Sequence, residues 1–219
     1  NMRFEGDYLY NWKRKGKGYI NDKLEFEGEY LFDKKWNGKI YDKNDNITYE
    51  MINGVENIKK YYKNGQIKLE VIGIKNGEGK EFYESGSIKF EGEYLNLKRW
   101  NGKGYDNNNK VVYELKDGKG YIKEYYNNGQ LEFECEYLNG EKNGKGKEYN
   151  KYGELIFKGN YLKGKRNGKG KEYENEKLIF VGEYLNGERN GKGKEYNDLG
   201  EIIFQGKYMN GERKSKKCN

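Results

Sequence analysis

The chain has no alanine, no proline and no histidine, and only two of its 219 residues are cysteines. Each absence closes off a class. Without alanine, the strongest helix former, a helical protein is not expected. Without histidine, imidazole metal centres and His-based acid–base chemistry are excluded. Cys135 and Cys218 have no metal-ligand spacing around them, so neither a disulfide framework nor a thiolate metal site is expected. Serine is limited to Ser85, Ser87 and Ser215 and threonine to Thr48, which leaves a nucleophilic triad without parts. No apolar run approaches the length of a membrane span and no signal peptide is visible. The expectation is an intracellular protein, cytoplasmic or peripheral to a membrane or cytoskeletal structure.

What is abundant points to strands. Aromatic residues make up 16% of the chain against 33% for all hydrophobic residues, so rings supply about half of the apolar content. Tyr and Phe favour strands, and 32 Gly argue against long helices. Mean hydropathy is −1.28, too polar for a thick core, yet a disordered chain would lack this aromatic density. A thin structure, with every residue near solvent, fits both facts. The missing Ala and Pro suit an AT-rich coding sequence, and Gly, whose codons carry the same cost, is nevertheless plentiful. That contrast points to a structural reason for the glycines.

Formal net charge is +7, from 43 basic and 36 acidic residues. The two signs are interleaved along the chain and do not form blocks. Such interleaving reads as a solvated surface laced with ion pairs. The one late excess is Arg213 to Lys217, "RKSKK", expected to guard the last strand edge with charge.

Internal repetition organises the whole chain. Phe4, Phe26, Phe90, Phe133, Phe157, Phe180 and Phe204 each precede a Tyr by four residues: Tyr8, Tyr30, Tyr94, Tyr137, Tyr161, Tyr184 and Tyr208. A Gly lies midway in every pair except one, where Cys135 stands instead. Residues 27–70 align without gaps on 91–134, with 24 of the 44 positions identical. The chain therefore reads as one array over 1–219 of about nine or ten hairpin units. Within it, a three-unit block is duplicated at 27–70 and 91–134, and the most regular units fill 131–211.

Inside a unit the period is two. In "LEFECEY" the residues Leu131, Phe133, Cys135 and Tyr137 share one face, with Glu132, Glu134 and Glu136 on the other. Strict alternation marks a half-buried strand, and the following Asn-Gly steps mark hairpin turns. The expected fold is all-β: an elongated, single-layer antiparallel meander of successive hairpins. The second strand is less definite. Period two places Lys145, Lys147 and Tyr149 on one face and Gly144, Gly146 and Glu148 on the other, while a Gly bulge would re-aim Tyr149 toward the aromatics. Gly182 is expected to leave room for an aromatic of the adjacent hairpin to lie across the backbone.

The segments "FEGEYLNLKRWNGKGYD" at 90–106 and "FVGEYLNGERNGKGKEY" at 180–196 resemble MORN repeats, the membrane occupation and recognition nexus. In the latter, Phe180, Gly182, Tyr184, Gly187, Gly191 and Gly193 fill the family's positions in order. The same structural positions recur at Phe90, Gly92 and Tyr94, at Phe133 and Tyr137, at Phe157, Gly159 and Tyr161, and at Phe204, Gly206 and Tyr208. Residues around 47–68 and 111–128 lack the opening aromatic-x-Gly-x-aromatic; their strands can still pair, but the motif does not specify regular sheet geometry there. The resemblance implies scaffolding, protein–protein contact, dimerisation and, in some members, association with membranes or phosphoinositides.

Catalytic readings do poorly. "GERNGKGK" at 187–194 has the wrong Gly spacing for a phosphate loop, and no hydroxyl residue follows it. Pairs such as Glu134 and Glu136 recur opposite Lys and read as cross-strand ion pairs on a wet face, not as an acid–base pair. Cys135, at a Gly slot on the aromatic face, reads as a buried small residue. The expectation is a non-catalytic scaffold without cofactor, with an unidentified protein partner or self-association. The alternative is peripheral binding to anionic phospholipids through Lys145, Lys147, Lys169, Lys171, Lys192 and Lys194. Nucleic acid is disfavoured, because the aromatics are needed for the sheet's own cohesion.

Overall fold

The computed structural model describes residues 2–42, 44–73 and 76–214. Every element in it is a strand, and within each sheet every strand pairs antiparallel with the next. In chain order they are β1 (Met2–Leu9), β2 (Trp12–Ile20), β3 (Lys23–Leu31), β4 (Lys34–Tyr41), β5 (Ile47–Ile52), β6 (Val55–Tyr61), β7 (Ile67–Ile72), β8 (Asn76–Phe82), β9 (Ile88–Leu95) and β10 (Lys98–Tyr105). There follow β11 (Val111–Leu115), β12 (Gly120–Tyr125), β13 (Leu131–Leu138), β14 (Glu141–Tyr149), β15 (Leu155–Leu162), β16 (Lys165–Glu174), β17 (Lys177–Leu185), β18 (Glu188–Tyr196), β19 (Ile202–Met209) and β20 (Glu212–Lys214). The sheet order is β1 through β11 in one ladder and β12 through β20 in a second, and neither closes into a barrel. The fold is therefore an all-β meander of hairpins, as the period-two pattern requires.

Packing divides the chain into two units, one of residues 1–86 with 91–97 and one of residues 87–90 with 98–219. The ladder breaks between β11 and β12, within the second unit, where Lys116 and Lys119 form an isolated bridge. This is the stretch 111–128 in which the repeat motif fades. The equivalent stretch near 47–68 keeps its pairing, through β5, β6 and β7.

The turns follow from their residues. Asn186 and Gly187, at φ +54° and +99°, make the two-residue turn between β17 and β18, the hairpin connection that Asn-Gly favours. On the other rim, the side chain of Asn150 accepts hydrogen bonds from the backbone N–H of Tyr152 (2.9 Å) and Glu154 (3.1 Å), closing the longer loop before β15. Asn190-Gly191 is not a turn. It sits inside β18, where the Lys192 N–H donates to Glu183 Oε2 at 2.9 Å and the β17–β18 register shifts. Gly187 also donates its N–H to the carbonyl of Arg166 at 2.9 Å, tying each hairpin to the one before it.

The core is a row of rings on one face, called here the inner face. Phe157, Phe180 and Cys135 are fully buried, and Tyr161, Tyr184 and Tyr208 join them, with Phe133 and Phe204 packed at the ends. Phe180 meets Tyr184 of its own hairpin at 5.7 Å and Tyr208 of the next at 5.2 Å, both edge-on. Such ring pairs add about 0.5–1.5 kcal/mol each beyond the area they bury. The first unit repeats this with Phe26 and Tyr30 at 5.0 Å, beside Ile40 and Met51.

The glycines make the slot in which each Phe lies. Gly182 and Gly193 pair directly across strands. A Cβ on Gly182 would come within 2.4 Å of Phe180, and one on Gly193 within 2.6 Å. The ring over Gly182 is thus that of its own strand, two residues earlier, and not one from the adjacent hairpin as expected. The neighbouring hairpin's Tyr208 reaches Gly193 instead. The reason is length: from position 180 a Phe ring can lie flat along its own backbone and span both glycines.

Candidate interaction face

The inner face holds more than rings. Glu148, Glu172 and Glu195 come from the repeated "KGKEY", and cross-strand pairing sets them opposite Phe157, Phe180 and Phe204. Tyr184 Oη donates to Glu172 Oε1 at 2.6 Å, and Tyr208 Oη to Glu195 Oε1 at 2.6 Å. Arg189 lies 4.1 Å over the Phe180 ring and donates to both Glu172 and Glu195. Arg166 repeats the arrangement over Phe157 and pairs with Glu148, and Arg213 does so over Phe204, paired with Glu195. Burial raises the carboxyl pKa values of Glu148 and Glu172, but hydrogen bonds from Arg and Tyr outweigh it and hold both below the usual range. Period two places Glu148 with Gly144 and Gly146, away from Lys145 and Lys147, and the structure keeps it there. That face proves to be the aromatic one, because Glu148 is in phase with Gly146 and Gly146 pairs with Cys135. Arg213, on the last strand, also pairs into this lattice through Glu195; residues 215–217 of that run lie outside the described residues.

The opposite, outer face carries Lys145, Lys147 and Tyr149, as period two requires. A register shift does occur beside Tyr149, yet Tyr149 Oη donates to Glu134 Oε1 at 3.2 Å and so stays with the lysines. Lys147 pairs with the same carboxylate at 2.7 Å, one of the cross-strand ion pairs expected from sequence.

Two different charge patterns run across this face. In the first unit the pairing order is Glu5, Lys17, Glu27, Lys39, Glu50, each directly opposite the next. Lys17–Glu27 (3.3 Å), Lys59–Glu70 (3.0 Å) and Lys80–Glu91 (2.6 Å) are ion pairs. In the second unit the order after Glu134 becomes Lys147, Lys158, Lys171, Val181, Lys194, Gln205. A second row sets Lys192 opposite Lys207 and Lys207 opposite Lys214. Like charges directly opposite each other destabilise a sheet. Lys145, Lys158, Lys169, Lys171, Lys192, Lys194, Lys207 and Lys214 make no ion pair among the described residues.

The six lysines named from sequence therefore share one face, with Lys147 neutralised by Glu134. Lys158, Lys207 and Lys214 were missed. For Lys158 the signal was present: the residue after each repeat Phe is Glu5, Glu27, Glu91 and Glu134 in the early units, then Lys158, Val181 and Gln205. The lysines line two adjoining hollows of about 490 and 980 Å³, which share Lys169 and Val181. Among the described residues no His, Cys, Asp or Glu cluster could hold a metal ion. No protein-family model matches the chain, and no curated protein matches it.

Proposed function

We propose that this chain is a non-catalytic repeat scaffold of the MORN type that mediates protein–protein interaction or structural assembly through the outer face of its second unit. One observation supports this above the others. The inner face is consumed by the Phe–Tyr–Arg–Glu lattice, while the outer face of β14 to β20 carries lysines that no carboxylate among the described residues pairs. A surface that tolerates like charges across strands stores a cost that a complementary partner removes. Cross-linking of the full-length chain in cell extract tests it. The wild-type chain captures a partner that Lys171→Glu/Lys194→Glu loses; the same partners captured by both would sink the reading.

A second reading is peripheral binding to anionic phospholipids by the same lysines. It is favoured by Leu162, Leu185 and Met209, which follow the core tyrosines and so turn to the lysine face, half exposed. Lysine adds about 1 kcal/mol each near an anionic bilayer, and adjacent aliphatics would enter the acyl boundary. Co-sedimentation with neutral and phosphoinositide-containing vesicles across a salt series tests this, and absence of binding at low salt ends it.

A further inference from the structure

We propose that the outer-face groove of β14 to β20 docks an acidic polypeptide segment that also carries apolar side chains. The inference rests on the scaffold reading above and names the chemistry of its partner.

Charge sets the first requirement. Lys147, Lys158 and Lys171 follow one another across adjacent strands, as do Lys192, Lys207 and Lys214. Adjacent strands lie about 4.8 Å apart, so beyond Lys147, which Glu134 neutralises, each set is a short ladder of positive charge perpendicular to the strands. The first unit shows that the fold does not need this, since the same positions there alternate in sign and pair. The occupant is therefore anionic and bridges strands.

Shape and apolar content set the second. The lysines line hollows, with the Gly170 and Gly193 backbones and the Val181 side chain among the lining groups. A flat bilayer would rest on the rims of such a surface and leave its floor unfilled, whereas a single chain can enter it. Outside the hollows the same face carries exposed aliphatics: Leu162 is 47%, Leu185 48% and Met209 52% exposed. Nucleic-acid single strands are held by aromatic planes on which bases stack. Here Tyr121, 45% exposed, lines the end of the first hollow as one ring, while Tyr149 is half-buried with its hydroxyl engaged by Glu134, and Tyr173 and Tyr196 are half-buried. Carboxylates with interspersed aliphatic side chains match the face as it stands.

The deciding variant is Lys158→Glu/Val181→Glu/Gln205→Glu, which rebuilds in the second unit the alternation of the first. Fluorescence anisotropy of the full-length chain is read with four probes: a labelled peptide of alternating Glu and Leu, polyglutamate, oligodeoxythymidine, and phosphoinositide-containing vesicles. The wild-type chain binds the Glu-Leu peptide more tightly than the other three, with an affinity that falls as salt rises. The triple variant binds it at least about tenfold more weakly while melting no lower than wild type, since it gains cross-strand pairs. Should the variant melt lower, Lys171→Gln/Lys194→Gln, at surface positions without ion pairs, gives the same reading. Unchanged peptide affinity in these variants overturns the proposal, as does preference for the oligonucleotide or the vesicles. If no peptide binds while the cross-linked partner is still lost on charge reversal, this inference falls and the scaffold reading stands. If neither is seen, both fall.

Discussion

Arg189 and Glu172 form an ion pair between hairpins, with the guanidinium of Arg189 stacked on Phe180 and extended to a second carboxylate, Glu195. Through it, the repeat is held by a chain of alternating charge from Arg166 to Arg213 as well as by rings. Arg189→Met keeps apolar volume over Phe180 and removes the cation, leaving two partly buried carboxylates each short of a donor. The expected loss is about 2–3 kcal/mol, by analogy with hydrogen bonds to charged groups. Urea unfolding at neutral pH measures it. Combined with Glu172→Gln, the loss is smaller than the sum of the two singles, because they share one interaction.

Acid should unfold the second unit through the same carboxylates. Burial opposes ionisation of Glu148 and Glu172, yet Arg and Tyr donors hold both folded-state pKa values below the unfolded one. At Glu195 the hydrogen bond from Arg213 is the largest cause of the same downward shift. A depressed carboxyl pKa contributes stability that is fully present above the unfolded value, about 4.3, and lost as pH falls through the folded value. Melting temperature is therefore expected to be flat on this account above about pH 5 and to fall steeply below about pH 4. Glu172→Gln flattens that fall. An equally steep fall in the variant would show that other groups dominate.

Gly182→Ala places a Cβ within 2.4 Å of Phe180, so the ring must leave its slot. Overpacking of this kind costs about 1–3 kcal/mol. Phe180→Leu in the same chain relieves part of it, so the double variant loses less than the two singles added together. Additive losses would mean that the slot is not the reason for the glycine.

Cys135 takes a glycine's place in the ring row and is 1% exposed. Burial pushes its thiol pKa up to about 11, with Lys142 nearby acting against that rise. At pH 8 a thiol reagent is expected to leave Cys135 unlabelled in the folded chain and to label it once denaturant is added, with peptide mapping separating it from Cys218. Labelling of the native chain at the rate of an exposed thiol would overturn this.

Much of this architecture is local and was legible for that reason. Period-two alternation in "LEFECEY" and "LIFVGEY", with Asn-Gly at 186–187, specifies strands and turns within a few residues of each other, and the ladder follows from joining them. The lattice of Glu148, Glu172 and Glu195 was not legible. Lys and Glu alternate in "KGKEY", and only the pairing of Gly146 with Cys135 decides which of them faces the rings. Asn190-Gly191 illustrates the same limit, since its residues fit a turn as well as they fit a bulge, and pairing across β17 and β18 selects the bulge.

By itself the sequence determined that the chain is β, built of hairpins, glycine-slotted and aromatic-cored, because those properties depend on side-chain period and turn chemistry between near neighbours. Tertiary structure alone decided how its charges are sorted. Interleaved signs along the chain become unequal faces in the second unit, with glutamates locked under arginines inside and, outside, lysines set opposite lysines beyond Glu134. The physical reason is register: a strand has two faces, and which charge meets which is set by the partner strand it pairs with.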